Sequence, residues 1–274
     1  METILQALVD ARPDRLQHRE LMAPRDATFA PWPTWLDEQV IATWQGMGID
    51  RPFDHQVRAA QAAFDGRHVV LATGTASGKS LAFQMAGLGH LAANPTSSVL
   101  YLAPTKALAH DQLRSLDALA AVRPRACVVD GDADLATRRW ARMHAQWLLT
   151  NPDWLHHSLL PGHAQWTRFL RGLQLVIVDE AHAYRGLFGA HVSMVLRRLL
   201  RLAERAGATP SVLFASATLA APSDLGARFL GGAATDVVAI DQDCSPAGAR
   251  IVALWSRRSR HREHVRPRRQ RPQS

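Results

Sequence analysis

The chain has 274 residues, 47% of them hydrophobic and 20% charged, a globular composition with room for one large core or two small ones. No apolar run approaches the ~18 residues of a membrane-spanning helix, and the amino-terminal METILQALVDARPDRL carries acidic residues where a secretory signal would be basic and then apolar. Cys127 and Cys244 stand far apart in no metal-ligand spacing, which fits a reduced cytoplasmic setting and two packing thiols.

The net charge of +8 is unevenly placed. Residues 257–274, RRSRHREHVRPRRQRPQS, hold eight arginines against one glutamate, or +7; the other 256 residues carry 24 basic and 23 acidic side chains, or +1. That basic end has a single aliphatic residue, Val265, and cannot bury a core. It reads as a solvated, disordered tail, with binding to nucleic-acid phosphates as the alternative.

In chain order, residues 1–50 are rich in proline and tryptophan with little periodicity, as in APRDATFAPWPTWLDEQV, and read as an extended arm on the main domain. Residues 51–245 hold seven short, almost continuously apolar runs: HVVLAT, SVLYLAP, ACVVD, QWLLT, LQLVIVDE, SVLFAS and DVVAI. Such runs suit strands of a parallel sheet buried on both faces. Helical patterns separate them. HVSMVLRRLLRLAERAG puts Val192, Val195, Leu196, Leu199, Leu200 and Ala203 on one stripe, with Gly207 as the stop. PSDLGARFLGG offers Ser223 as cap and Gly231 as stop. Alternating strands and helices predict an α/β, doubly wound fold with a mainly parallel sheet and helices on both faces. Residues 246–274 are read as a short remnant followed by the basic tail.

Only two of the 32 basic residues are lysine, Lys79 and Lys106. Lys79 lies in TGTASGKS, which follows a predicted strand, opens a predicted helix and matches G-x-x-x-x-G-K-[ST] except that Thr73 replaces the first glycine. In such a loop, begun by Thr73 and Gly74, the backbone N–H groups of Thr75, Ala76, Ser77, Gly78 and Lys79 point inward around a phosphate at a helix N-terminus. The compact ammonium of Lys79 fits between β- and γ-phosphates, where a planar guanidinium is larger and aimed differently. Ser80 offers a hydroxyl to Mg²⁺. The plainer reading is a Gly/Ser-rich turn.

A hundred residues on, LVIVDEAH ends an apolar strand in Asp179–Glu180. Paired carboxylates at the end of a buried strand need partners. With Mg²⁺ held by Ser80 and Asp179, Glu180 is placed to orient and deprotonate a water. A helix cap at Asp179 would explain one acid and not the pair.

TGTASGKS, LAPTKALAHDQL, LLTNPDWLH, VDEAH and FASATL, preceded by FDHQ, resemble motifs I, Ia, Ib, II, III and the Q motif of the superfamily 2 DEAD/DEAH-box helicases in order and spacing. DGDADLATRRWARMHAQWLLTNPDWLH and DEAHAYRGLFGAHVSMVLRRLLRL further resemble the MrfA-type, RecQ-like DNA-repair helicases. The resemblance implies a RecA-like P-loop lobe binding ATP and Mg²⁺ and acting on nucleic acid, DNA before RNA. It implies that Gln56 reads the adenine edge and Phe53 stacks on the ring. His182 would join the nucleotide site to Ser216, Ala217 and Thr218. Pro104, Thr105 and Lys106, with Thr150, Asn151 and Asp153, would touch the phosphates of one strand.

Each of these residues also has a plainer reading: Phe53 as core, His182 as a turn cap, SAT as a strand end, NPD as a helix start. His156 and His157 lack a third metal ligand at suitable spacing, and Trp140, Trp147, Trp154 and Trp166 read as core. The motif series stops after FASATL; GARIVALW looks like the family's bridge to a second RecA-like lobe, and the composition then changes abruptly, as in a first lobe with an aberrant or truncated end. Weak ATP hydrolysis and no unwinding are the expectation for the chain alone. A duplex-DNA translocase motor and a non-catalytic nucleotide- or nucleic-acid-binding fragment are the competing readings.

Overall fold

The computed structural model describes residues 2–11, 15–119 and 122–256; the basic tail of 257–274 lies outside them. Two compact units divide the contacts, residues 26–245 and residues 1–25 with 246–274. The compositional boundary at residue 50 does not coincide with this division. Residues 26–50 belong with the larger unit, where the helix Glu38–Gly46 buries Val40 and Trp44.

Nine strands occur in the described residues: β1 (Leu16–Met22), β2 (His68–Ala72), β3 (Ser98–Leu102), β4 (Ala126–Val128), β5 (Trp147–Thr150), β6 (Leu173–Val178), β7 (Ser211–Ser216), β8 (Val237–Ile240) and β9 (Arg250–Trp255). In the smaller unit β1 pairs antiparallel with β9, Glu20 facing Val252, and Ser256 N donates to Arg15 O at 2.9 Å.

The larger unit holds a seven-stranded sheet in the order β4-β5-β3-β6-β7-β2-β8, every pairing parallel. The seven apolar runs of the sequence are these seven strands. Side chains alternate between two cores. Val69, Leu71, Val99, Tyr101, Leu175, Ile177, Leu213 and Ala215 face one; Val70, Ala72, Leu100, Leu102, Val176, Val178, Val212 and Phe214 face the other. With both faces covered, a strand shows no polar alternation, which is why the runs read as continuously hydrophobic. Helices Asp54–Phe64, Lys79–Ala93 and Lys106–Asp117 cover the first face. Helices Leu135–His144, Thr167–Arg171, Gly186–Arg205 and Pro222–Leu230 cover the second.

Helix Lys79–Ala93 contains Gly87, an unfavourable interior residue for a helix. A Cβ there would stand 2.4 Å from the Trp147 ring, so glycine is what lets this helix lie against the sheet.

The stripe on Gly186–Arg205 is buried as expected, with Leu200 partly so, and Gly207 follows the helix at φ +92°. Gly231 closes Pro222–Leu230 at φ +78°. Ser223 is not that helix's cap. The helix starts at Pro222, whose fixed φ suits the first turn, and Ala221 precedes it. Trp147, Trp154 and Trp166 are core, whereas Trp140 is 39% exposed on the outer side of Leu135–His144.

Candidate nucleotide site

Parallel strands deliver their following loops to one edge, so the residues after β2, β3, β5, β6 and β7 gather at the carboxyl edge of the sheet. The loop after β2 carries residues 73–78 into helix Lys79–Ala93. Thr73 and Ser77 are buried, and their hydroxyls meet at 2.7 Å across the loop, a link that the usual glycine could not make. Gly78 precedes the helix at φ +72°, and a Cβ on it would fall 2.4 Å from Gln56 Nε2.

Gln56 is 3% exposed and works as a brace. Its Nε2 donates to Ser77 O at 3.2 Å and Gly78 O at 2.9 Å, and its Oε1 accepts from Phe53 N at 2.8 Å. His55 holds the same loop from the other side: Nε2 donates to Ser77 O at 3.1 Å while Nδ1 accepts from Cys244 N at 3.1 Å. Burial holds the His55 pKa below its ordinary value, which matches this neutral tautomer. Asp243 Oδ2 accepts from Gly74 N at 3.2 Å. Neither His55 nor the 243–245 turn stood out in the sequence; the turn lies far along the chain and carries no motif.

Lys79 Nζ donates back to the loop, to Gly74 O at 2.7 Å and Thr73 O at 3.2 Å. Burial lowers its pKa, and the charges of Glu180, then Asp179, then Asp243 oppose that shift. The lysine and the acid pair therefore share one electrostatic environment, although β7 stands between β2 and β6. Gln112 Nε2 donates to Ser80 Oγ at 3.1 Å.

Asp179 is 7% exposed. Burial raises its pKa; a hydrogen bond from the Tyr101 hydroxyl and one from Glu180 N, at 2.8 Å to Oδ1, pull the other way. Tyr101 reaches it because β3 pairs with β6 in register, Tyr101 beside Ile177. In an apolar run such a tyrosine looks like plain core, so the sequence did not reveal it. Glu180 sits at φ +47° and Ala76 at φ +62°, the two non-glycine residues with positive φ among the described residues, and both are in this site.

His182 Nδ1 lies 3.2 Å from Glu180 Oε2, 3.2 Å from Ala217 N and 3.5 Å from Ser216 Oγ. Ala217 N has only a proton to give, so Nδ1 is an acceptor and the Nε2–H tautomer is present. The approach to Glu180 is then a close contact, not an ion pair. The histidine reaches Ser216 and Ala217, while Thr218 is exposed at the start of the next loop.

A cleft of about 570 Å³ runs beside the loop, with Phe29, Arg51, Phe53, Gln56 and Gly78 in its walls. Phe53 packs on Phe29 with centroids 5.2 Å apart, and the Arg51 guanidinium lies 5.0 Å over the Phe29 ring. Phe53 is partly buried at the cleft wall and not deep in the core.

The six residues matched to strand contacts divide. Thr105 and Lys106 are exposed and Pro104 half-buried; Thr105 caps the helix that follows, accepting from Leu108 N at 3.3 Å, and Lys106 is paired with Asp132. Asn151 caps the turn Pro152–Trp154, accepting from Trp154 N at 2.8 Å, and Asp153 is exposed. Thr150 differs from expectation. It is 1% exposed, and its hydroxyl donates to Val129 O at 2.6 Å, turned into the sheet and away from solvent.

The residue set fits Mg²⁺ and a triphosphate: a buried carboxylate of raised pKa, the Ser80 hydroxyl in the first turn of helix Lys79–Ala93, and a lysine whose present partners are loop carbonyls.

The sequence pattern of the DEAD/DEAH box helicase family matches residues 53–225. The uncharacterized ATP-dependent helicase YprA of Bacillus subtilis is 36% identical over 236 residues, 85% of this chain and 31% of that protein. ATP-dependent helicase HRQ1 of Saccharomyces cerevisiae is 40% identical over 220 residues, 78% of this chain and 20% of that one. The crystal structure of DUF1998 helicase MrfA bound to DNA and AMPPNP superposes with TM-score 0.84 at 34% identity, over 91% of this chain and 35% of MrfA. The chain thus spans about a third or less of the length of these relatives. The chain belongs to the DEAD/DEAH box helicase family and has the fold of its ATP-binding lobe.

Proposed function

We propose that residues 51–245 are the nucleotide-binding lobe of a DNA helicase of the MrfA type that acts in DNA repair in the cytoplasm, with 1–50 and 246–274 as flanking segments. One observation carries this reading: Lys79 opens the helix after β2, the Asp179–Glu180 pair follows β6 a hundred residues on, and all three stand at the carboxyl edge of one parallel sheet, where burial lowers the Lys79 pKa and raises that of Asp179. No described helix is long and apolar enough to cross a membrane.

The backbone N–H groups of residues 75–79 enclose the phosphates, and the Lys79 ammonium leaves its loop carbonyls to neutralise the β- and γ-oxygens. Ser80 and Asp179 are the residues that would hold Mg²⁺, which would supply charge neutralisation on the transferring phosphoryl group. Glu180 orients the attacking water and takes its proton. Gln56 keeps one acceptor lone pair on Oε1 after bonding Phe53 N, enough to accept from the exocyclic amine of adenine, with Phe53 beside the ring. His182, beside Glu180, joins the nucleotide site to Ser216 and Ala217. Pro104, Thr105, Lys106, Asn151 and Asp153 form the surface for one strand's phosphates; Thr150 supports that surface from within. Strand movement takes a second RecA-like lobe, whose closure supplies the arginine worth about 10³ to 10⁵ in phosphoryl-transfer rate.

Calorimetry of the full chain with ATP–Mg²⁺ tests the reading, together with phosphate release measured with and without single-stranded DNA. Binding lost in Lys79→Ala is the expected result. No heat for the unmodified chain sinks the proposal; heat with equal background release from the unmodified chain and Glu180→Gln leaves a binding module instead of an ATPase.

A further inference from the structure

The amino edge of the same sheet carries a second cleft, of about 620 Å³. Six residues of β6, at about 3.3 Å each, put it roughly 20 Å from the nucleotide site. Segments that precede four strands form its walls: Thr96 before β3, Arg125 before β4, Met143 and His144 at the end of helix Leu135–His144 before β5, and Arg168 and Arg171 of helix Thr167–Arg171 before β6. No acidic residue lines it.

Arg168 has a structural task. Its Nε donates to Arg142 O at 3.2 Å and its Nη2 to Ala145 O at 2.6 Å, closing the C-terminal carbonyls of helix Leu135–His144. That task explains neither Arg125 nor Arg171. All three guanidiniums lack an ion pair with any described carboxylate. Arg168 also feels Arg125: burial, and then the charge of Arg125, hold its pKa below the ordinary guanidinium value. Like charges brought together around a concave surface without a counter-charge are stabilised by an anion between them. Guanidinium forks match the oxygen spacing of a phosphoryl group, to which they give paired charge-assisted hydrogen bonds.

We propose that this cleft is a phosphoryl-binding site, distinct from the nucleotide site, in which Arg125, Arg168 and Arg171 hold either a free phosphate or pyrophosphate or one phosphodiester of a nucleic-acid strand. The chain contains six methionines, and two of them report the two clefts separately: Met143 lines this one and Met47 the one beside Gln56 and Gly78.

Full-length protein labelled with ¹³C at methionine methyls is titrated with inorganic pyrophosphate, with a dT oligonucleotide, and with sodium chloride at matched ionic strength. The Met143 resonance is expected to shift saturably with pyrophosphate or oligonucleotide and not with chloride. A response to pyrophosphate assigns a free-phosphate site, and one to oligonucleotide alone assigns a strand contact. Arg125→Gln/Arg171→Gln, with Arg168 left to close its helix, should weaken that response about tenfold or more. Its Met47 response to ATP–Mg²⁺ should remain, which shows that the variant is folded. A Met143 signal that ignores both phosphate probes, follows chloride equally, or is unchanged in the double variant overturns the proposal. A silent Met47 with a responsive Met143 would instead count against the nucleotide site alone.

Discussion

The same seven strands end in two different kinds of surface. At the carboxyl edge the chain accepts strain and buried charge: Ala76 and Glu180 stand at positive φ, and Asp179 is ionisable at 7% exposure. At the amino edge the charges that line the cleft are guanidiniums that remain exposed, as Arg125, Arg168 and Arg171 do. Between the edges the interior is apolar, with Trp147 fully buried over Gly87. An arrangement selected only for stability would not put a buried carboxylate and a strained alanine in one place. The contrast separates residues that act on a ligand from residues that hold the sheet.

Substitutions at the two kinds of position should therefore change different observables. Glu180→Gln has the largest expected effect at the carboxyl edge. On the proposed function, steady-state phosphate release measured with single-stranded DNA should fall by about 10²- to 10⁴-fold, the worth of a general base, while the thermal midpoint stays within a degree or two. A similar fall in rate together with unfolding would erase the contrast. Trp147→Ala is its counterpart in the interior. Leaving a hole under Gly87 should cost roughly 3–5 kcal/mol by denaturant titration, and nucleotide affinity measured below the transition should change little.

Tyr101→Phe probes the border between the two. It removes one donor from a buried carboxylate and leaves an acceptor unsatisfied, which costs about 1–3 kcal/mol. It also raises the pKa of Asp179 further, since the Tyr101 hydrogen bond is the largest of the influences that oppose burial there. Denaturant titration at pH 7 and at pH 5 should show a larger loss at pH 7, where more of the carboxylate is ionised. Equal losses would mean that the hydroxyl serves packing and not the charge.

The histidines give a smaller effect with a definite sign. His55, His68 and His90 all have pKa values held below 6.5 by burial. In the window from 6.5 down through the folded values, the unfolded chain takes up protons that the folded chain refuses. Stability contributed by the neutral rings is thus present above 6.5 and is lost as the pH falls. Thermal midpoints should drop from pH 7.5 to pH 5.5. His55→Asn should flatten that slope, and an unchanged slope would show that His55 titrates alike in both states.

The sequence made the sheet legible because a strand covered on both faces has only one kind of residue to show. It made the phosphate loop and the acid pair legible because both are local: neighbours in the chain are neighbours in the site. What it hid depends on the third dimension. Tyr101 reads as core until β3 is set beside β6. His55 and Asp243 brace the loop from elements 22 and 169 residues away from their partners Ser77 and Gly74. Thr150 has the right chemistry at the right strand end, but nothing local says that its hydroxyl turns toward Val129. Trp140 failed as a core residue for a related reason: in an arginine-rich helix, periodicity alone did not decide which side faced the sheet.

Ala76 offers the smallest and sharpest test of strain as a mark of function. It is exposed, so glycine there removes no packing, and its φ of +62° is one that alanine adopts at a cost. That cost is about 1–2 kcal/mol. Glycine also makes the unfolded chain more flexible, which takes back about 0.4–1 kcal/mol. The net expectation for Ala76→Gly is a gain of roughly 0–1.6 kcal/mol, with each kcal/mol raising the thermal midpoint by about 2–4 °C for a domain of this size. Nucleotide affinity should move the other way or not at all, because a looser loop gives up some of the pre-arrangement that the alanine enforces. A variant that is both less stable and weaker in binding would show that the loop's conformation is not strained at this residue. The contrast between the two edges would then rest on Glu180 and the buried acid alone.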